Sequence, residues 1–341
     1  MKSHTVPKKL LERFAYDDPV TRSKRLWRYQ KGKTPYGRAA PKTATRWDGH
    51  FADPANATRE AELEGQLERK FEHPVNQFID MIGYRTFVLQ PHHIKALTGY
   101  LTMLFTRSRA RRAASQGHAD ITIDALRSLL SDEQRLSELI AKLTMEVIDR
   151  GLATRMVKRE EVVAAIENTI AEHSDTDEAQ RRYIKTVETM MEFADVGMLN
   201  GDWVIIHAEP DKPFVIGDAP VVTWERTENN VLNFGQGFSR PNVEAFLPVS
   251  PTACLHVLPR VARTRPVRMP ATAEVNMAQA AFATEHCFTN VLSKEIDGIL
   301  QQHFGTMRLG IDGFSVRHID HKKVMFDILM GRPRSPLTVA Q

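Results

Sequence analysis

The sequence predicts an α+β protein, with a helical bundle through its middle and a mostly antiparallel sheet with covering helices after it. Three observations predict this. Apolar residues recur at helical spacing from about residue 59 to 200, short β-branched and aromatic runs separated by turns follow Gly201, and helical spacing resumes near Ala273. At 341 residues with 42% hydrophobic and 26% charged, the chain has the make-up of a packed globular protein, which excludes wholesale disorder and fibrous repeats. Composition divides it into a basic N-terminal segment with a small β element (1–58), a helical region (59–200), a β-rich region with helices (201–310) and a C-terminal tail (311–341), and one single domain remains an alternative.

In chain order, His4 to Pro7 reads as an extended entry, and Pro7 suits the first turn of a helix because it lacks only a donor the helix would leave unpaired. Lys8 to Phe14 then buries Leu10, Leu11 and Phe14, and Leu26-Trp27-Arg28-Tyr29 alternates as a strand, turned by Lys31-Gly32-Lys33. From Arg59 to Tyr84 the residues Leu63, Leu67 and Phe71 fall four apart, and Pro74 should kink or restart the helix. A helix opens at Gln90-Pro91 with the stripe Ile94, Leu97, Leu101, Leu104 and Phe105, and emerges into Arg107, Arg109, Arg111 and Arg112. Ser131 to Gln134 matches a capping box ahead of Leu136 to Val147, with Gly151 as the stop. Helices over 158–173 and 178–198 complete the middle.

Past Gly201, Trp203 to Ala208 and Phe214 to Ile216 around Glu209-Pro210-Asp211-Lys212-Pro213 outline a hairpin. Val221 to Trp224, Val243 to Leu247 and Cys254 to Leu258 supply further strands, and 273–283 and 293–304 read as helices over the sheet.

No stretch approaches the roughly 18 apolar residues of a membrane span, and Met1 to Pro7 lacks the apolar core of a signal peptide, so a cytoplasmic protein with no membrane partner is expected. Cys254 and Cys287 are too few for a disulfide framework and read as buried thiols in a reducing compartment. The net charge of +4 is uneven: residues 1–50 hold 13 Lys/Arg against 4 Asp/Glu. With the arginine group at 107–112, this concentration favours nucleic acid or another anionic partner, and a merely solvated face is the alternative.

Certain short motifs resemble a known family. The opening His4-Thr5-Val6-Pro7 with Leu11 and Phe14, then Leu26-Trp27 and Tyr29, then Ile216-Gly217-Asp218-Ala219-Pro220-Val221-Val222 and Pro248-Val249-Ser250-Pro251 are similar to the bacterial domain-of-unknown-function 4238 family, from about residue 4 to about 300. Gly217 stands where that family usually has a small hydroxyl residue. The resemblance implies a fold and a short list of positions; it carries no established activity.

His4 and Asp218 are the candidate catalytic residues. An imidazole exchanges protons near neutral pH, and an Asp at a strand end is well placed to present its carboxylate; the alternatives are a packed ring with one backbone bond and a turn former. Arg107, Arg109, Arg111 and Arg112 are the candidate phosphate ligands. Glu60, Glu64 and Glu68 make a carboxylate row that suits a divalent metal or, equally, an exposed helix face, and the cofactor stays unknown. His92-His93 point apart on a helix and do not share a metal. Phosphate-cradling glycine loops, a nucleophile elbow and zinc-helix motifs are absent from the sequence. These residues lead to two functional expectations: a phosphodiester-directed, nuclease-like hydrolase, or a non-catalytic nucleic-acid-binding or protein-interaction protein.

Overall fold

A computed structural model describes residues 2–30, 33–48, 50–53, 56, 58–108, 112, 120, 123–149, 156–193, 201–226, 232–234, 242–258 and 268–306. The architecture is α+β, and every strand pairing among these residues is antiparallel. No described helix is long and apolar enough to cross a membrane. Packing divides the chain into a larger unit within Met1–Ala114 and Tyr183–Leu309 and a smaller one that includes Ser115–Arg182.

Three sheets build the larger unit among the described residues. The short β1 (Lys2–His4) pairs with β5 (Arg46–Asp48). A second sheet joins β2 (Tyr16–Asp18), β3 (Ser23–Gln30), β12 (His286–Thr289) and β7 (Ile216–Gly217), with β4 (Lys33–Ala39) also on β3. The third runs in the order β6 (Trp203–His207), β11 (Ala253–Val257), β10 (Val243–Ser250), β8 (Val222–Arg226), β9 (Leu232–Phe234). Because β3 pairs with β12, with Trp27 opposite Thr289, the N-terminal segment is built into a C-terminal sheet and does not stand apart at residue 58.

Strands β10 and β11 are buried at every position, which explains their nearly continuous apolar runs. Among their polar residues, Glu244 and His256 meet across the two strands. Their 2.8 Å hydrogen bond joins Glu244 Oε2 to His256 Nε2 inside the sheet, while His256 Nδ1 is buried with no hydrogen-bond partner among the described residues.

The expected hairpin from Trp203 to Ile216 is corrected: β6 pairs with β11, with Cys254 opposite Ile206, while β7 pairs with β12, so the Pro-containing stretch between them passes from one sheet to another. Local turn residues were compatible with a hairpin. The pairing that wins buries Ile206 and Ile216 in separate sheets of one core.

The helices of this unit are α1 (Lys8–Glu12), α2 (Arg59–Leu67), a π-turn (Glu68–Glu72), α3 (His73–Asn76), α4 (Pro91–Thr106), α8 (Thr272–Phe282) and α9 (Lys294–His303). Pro74 sits in the first turn of α3, directly after the π-turn, and the helical backbone runs on through it. Helix α4 buries three hydroxyls on its way through the core, and each is satisfied by the carbonyl four residues earlier: Thr98 to Ile94 at 2.8 Å, Thr102 to Thr98 at 2.9 Å, Thr106 to Thr102 at 2.8 Å.

In the smaller unit α5 (Glu133–Asp149) and α6 (Arg159–Ser174) pack Leu136, Leu139 and Leu143 against Val162 and Ile166. The cap of α5 is Asp132, whose carboxylate accepts from the Arg135 amide at 3.1 Å, and not Ser131, whose hydroxyl turns back to the Arg127 carbonyl. Helix α7 (Thr176–Phe193) contributes Tyr183, Ile184 and Val187 to the core of the larger unit.

Candidate functional site

The N-terminal segment is stitched to residues 42–46. The Thr5 amide donates to the Thr45 carbonyl at 3.2 Å, the Val6 amide to the Thr45 hydroxyl at 3.3 Å, and that hydroxyl to the Val6 carbonyl at 3.0 Å. This fixes the partly exposed His4, whose Nε2 lies 2.7 Å from the Lys42 carbonyl oxygen. A carbonyl only accepts, so Nε2 carries the proton and Nδ1 is left with the ring's basic lone pair. Burial lowers the imidazole pKa from its ordinary 6.5, Arg107 lowers it further, Glu64 opposes them, and Arg46, opposite His4 on β5, lowers it again. The ring is therefore held neutral at cellular pH.

Beneath this segment lies Arg107, at the C-terminal end of α4 and only 1% exposed. Its guanidinium donates to the His4 carbonyl oxygen, to Glu64 at 3.2 Å and to Glu72 at 3.0 Å. The two carboxylates reach it because of the π-turn. Four residues of α-helix overshoot a full turn by about 40°, so eight would swing Glu72 about 80° away from Glu64. The wider rung of the π-turn rotates less per residue and brings Glu72 back to the same face. Close helix contact completes the fit: a Cβ on Gly99 of α4 would stand 2.7 Å from the Phe71 ring in the π-turn.

The charges in this cluster are displaced from their ordinary behaviour. Burial pushes the Glu72 carboxyl up despite the pull of Arg107. Burial alone would lower the Arg107 guanidinium, but Glu64 and Glu72 outweigh it and raise it. Tyr100, fully buried on α4, has its phenol driven well up by burial and by Glu72. Such concentrations of perturbed groups are found at functional sites more often than elsewhere, although structural ion-pair networks produce them too.

A second layer closes the end of α4. The His50 imidazole donates from Nε2 to the Arg107 carbonyl at 2.9 Å, and the Tyr183 hydroxyl, 3.0 Å from the same nitrogen, donates to the Thr106 carbonyl at 3.3 Å. Carbonyls the helix cannot pair internally are satisfied in this way. Arg112 lies over the Trp47 ring at 4.8 Å and the Tyr183 ring at 5.6 Å, and donates to the His50 carbonyl at 3.4 Å.

The arginine group is thereby redistributed. Arg107 is corrected from a candidate phosphate ligand to a buried cation engaged by two carboxylates, and Arg112 is held against aromatic rings; Arg109 and Arg111 lie outside the described residues. In the glutamate row, Glu60 accepts from the Phe51 amide at 3.4 Å and Glu64 faces Arg107. Among the described residues no group of three His, Cys, Asp or Glu side chains is placed to hold a metal ion.

Asp218 has a different environment. It follows β7, is 1% exposed, and its carboxylate accepts from the amides of Thr284 at 2.7 Å, Glu285 at 2.8 Å and His286 at 3.1 Å. It clamps the turn between α8 and β12, while Gln279 of α8 accepts from the Gly217 amide at 2.9 Å and donates to the Pro220 carbonyl at 2.8 Å. A Cβ at residue 217 would stand 2.9 Å from the Gln279 carbonyl, which is why glycine occupies this place. The hydrogen-bond partners of His4 and those of Asp218 come from separate parts of the fold, so the described contacts do not join the two into one centre.

The sequence did not single out Glu72, Tyr100, His50 or Tyr183. Glu72 had a signal, since it extends the row of Glu60, Glu64 and Glu68 by one more step of four. No curated protein and no solved structure matches the chain. The sequence model of one family does, over residues 2–294, and the chain belongs to that family, described as Protein of unknown function (DUF4238).

Proposed function

We propose that this protein is a phosphodiester-directed hydrolase in which the His4 imidazole is the general base. In this reading Nδ1 takes a proton from an attacking water, the oxygen of that water bonds to phosphorus as the P–O bond to the leaving group breaks, and the imidazolium returns the proton to the leaving oxygen. The exposed Lys42 and Arg46 beside His4 supply positive charge for the phosphate. The observation that carries the reading is the hydrogen bond from His4 Nε2 to the Lys42 carbonyl within cationic surroundings, because it supports a neutral ring with its lone pair on Nδ1. Asp218 acts in this reading through the turn it clamps. Buried free thiols at Cys254 and Cys287 support a reducing compartment, the cytoplasm, as the place of action.

The test is an assay of purified protein on labelled RNA and DNA, with and without divalent ions, beside His4→Ala. Cleavage by the wild type and none by His4→Ala is expected; equal cleavage by both contradicts the assignment.

A non-catalytic nucleic-acid binder is the second reading, and the bond from the His4 ring to the Lys42 carbonyl favours it, since it gives the ring an anchoring role. It predicts binding whose affinity falls with salt in proportion to the phosphates neutralised, with no cleavage.

A further inference from the structure

We infer that Arg107 and Glu64 form a positioning pair for His4, fixing where its imidazole stands and the field it feels from a helical layer distant in sequence. The inference rests on the reading of His4 as a base, and it deepens that reading by assigning control of the base to residues outside the N-terminal segment.

Three observations carry it. The Arg107 guanidinium donates to the backbone carbonyl of His4 itself, so it holds the residue and not merely the neighbourhood. Glu64 receives the same guanidinium at 3.2 and 3.3 Å, and among the described residues it is the carboxylate whose charge bears on the imidazole. The guanidinium is also fixed from below: Nη1 donates to Glu72 at 3.0 Å and touches the Met103 sulfur at 3.4 Å. An arginine is suited to this task because its planar fork presents its donors in a fixed geometry, whereas a lysine carries a rotatable ammonium on a flexible stem.

The charged groups that bear on His4 are Arg46 from its own side of the site, where the Lys42 backbone carbonyl receives the ring, and Glu64 and Arg107 from the helices. Arg107 and Arg46 oppose protonation of the ring, and Glu64 favours it. Substitutions in the pair should therefore move the ring's titration in opposite directions, whereas a loss of packing would move both toward the free-histidine value.

The experiment is an NMR titration of the His4 ring in the full chain, for wild type, Glu64→Gln and Arg107→Gln, with hydrolysis followed over the same pH range. Glu64→Gln is expected to lower the His4 midpoint and Arg107→Gln to raise it, and the acidic limb of the hydrolysis profile should move with each. If Arg107→Gln does not fold, Glu64→Gln decides alone: a midpoint that stays or rises overturns the inference. Opposite displacements in a protein that cleaves neither RNA nor DNA would leave the positioning pair in place and refute the hydrolase. Unmoved midpoints with cleavage intact would do the reverse.

Discussion

His4 and Asp218 both stand in the short motifs on which the sequence resemblance rests, yet their surroundings are opposite. Asp218 is buried and its carboxylate collects three backbone amides within 3.1 Å, so the charge holds a turn. His4 is partly exposed and has one ring nitrogen bonded to a carbonyl, in a field set by two arginines and a glutamate. A polar residue whose bonding capacity is met by the backbone stabilises the fold. One whose ring keeps a basic lone pair in an organised field is able to move a proton. Position in a motif alone does not separate these roles; the partners do.

The contrast is sharpest for stability. Asp218→Ala removes the acceptor of three amides, and each left unpaired costs about 1 kcal/mol or more, so a loss of about 3 kcal/mol is expected in urea unfolding. A loss below about 1 kcal/mol would mean that water replaces the carboxylate and that the clamp is not structural.

Next in size is the backbone beside it. Gly217→Ala places a Cβ 2.9 Å from the Gln279 carbonyl, and the overpacking should cost about 1–3 kcal/mol in the same measurement. An unchanged midpoint would show that α8 gives way there.

On the His4 side the effects should be read in pH dependence. The folded-state pKa of Glu72 is raised above the ordinary 4.5, so its contribution to stability is fully present below that value and is lost as pH climbs through the higher folded value. Glu72→Gln has no such loss. Its stability relative to wild type should therefore improve as pH rises above 4.5, and a trend of the opposite sign would mean that Arg107, not burial, governs this carboxyl.

The smallest stability effect belongs to His4→Gln, about 1 kcal/mol or less at neutral pH, since one hydrogen bond to Lys42 is altered. The His4 pKa is lowered, so its contribution is present above 6.5 and is lost as pH falls through the folded value. Acid unfolding curves should accordingly show His4→Gln losing less than wild type below 6.5.

What the sequence made legible follows the range of the forces involved. Helix α5 and the apolar stripe of α4 are written in residues three and four apart, and they appear where the periodicity places them. Strand partners are set by contacts far along the chain: Ile206 chooses Cys254 over the nearby Ile216, and no local residue announces this. The π-turn was hidden for a related reason, because its one-residue widening shows only when Glu64 and Glu72 converge on Arg107. His4 and Asp218 were visible through motif resemblance, but the division of labour between them was not. Arg107 looked like its neighbours in the arginine group, and only its burial in the fold tells it from Arg112.

The most direct measurement is the initial rate of oligonucleotide cleavage per folded molecule for His4→Gln and Asp218→Asn, with the folded fraction taken from near-UV circular dichroism. The account predicts that His4→Gln, nearly as stable as wild type, has lost cleavage, while the folded fraction of Asp218→Asn cleaves at the wild-type rate. Cleavage retained by His4→Gln and lost by folded Asp218→Asn would contradict it and exchange the roles of the two residues.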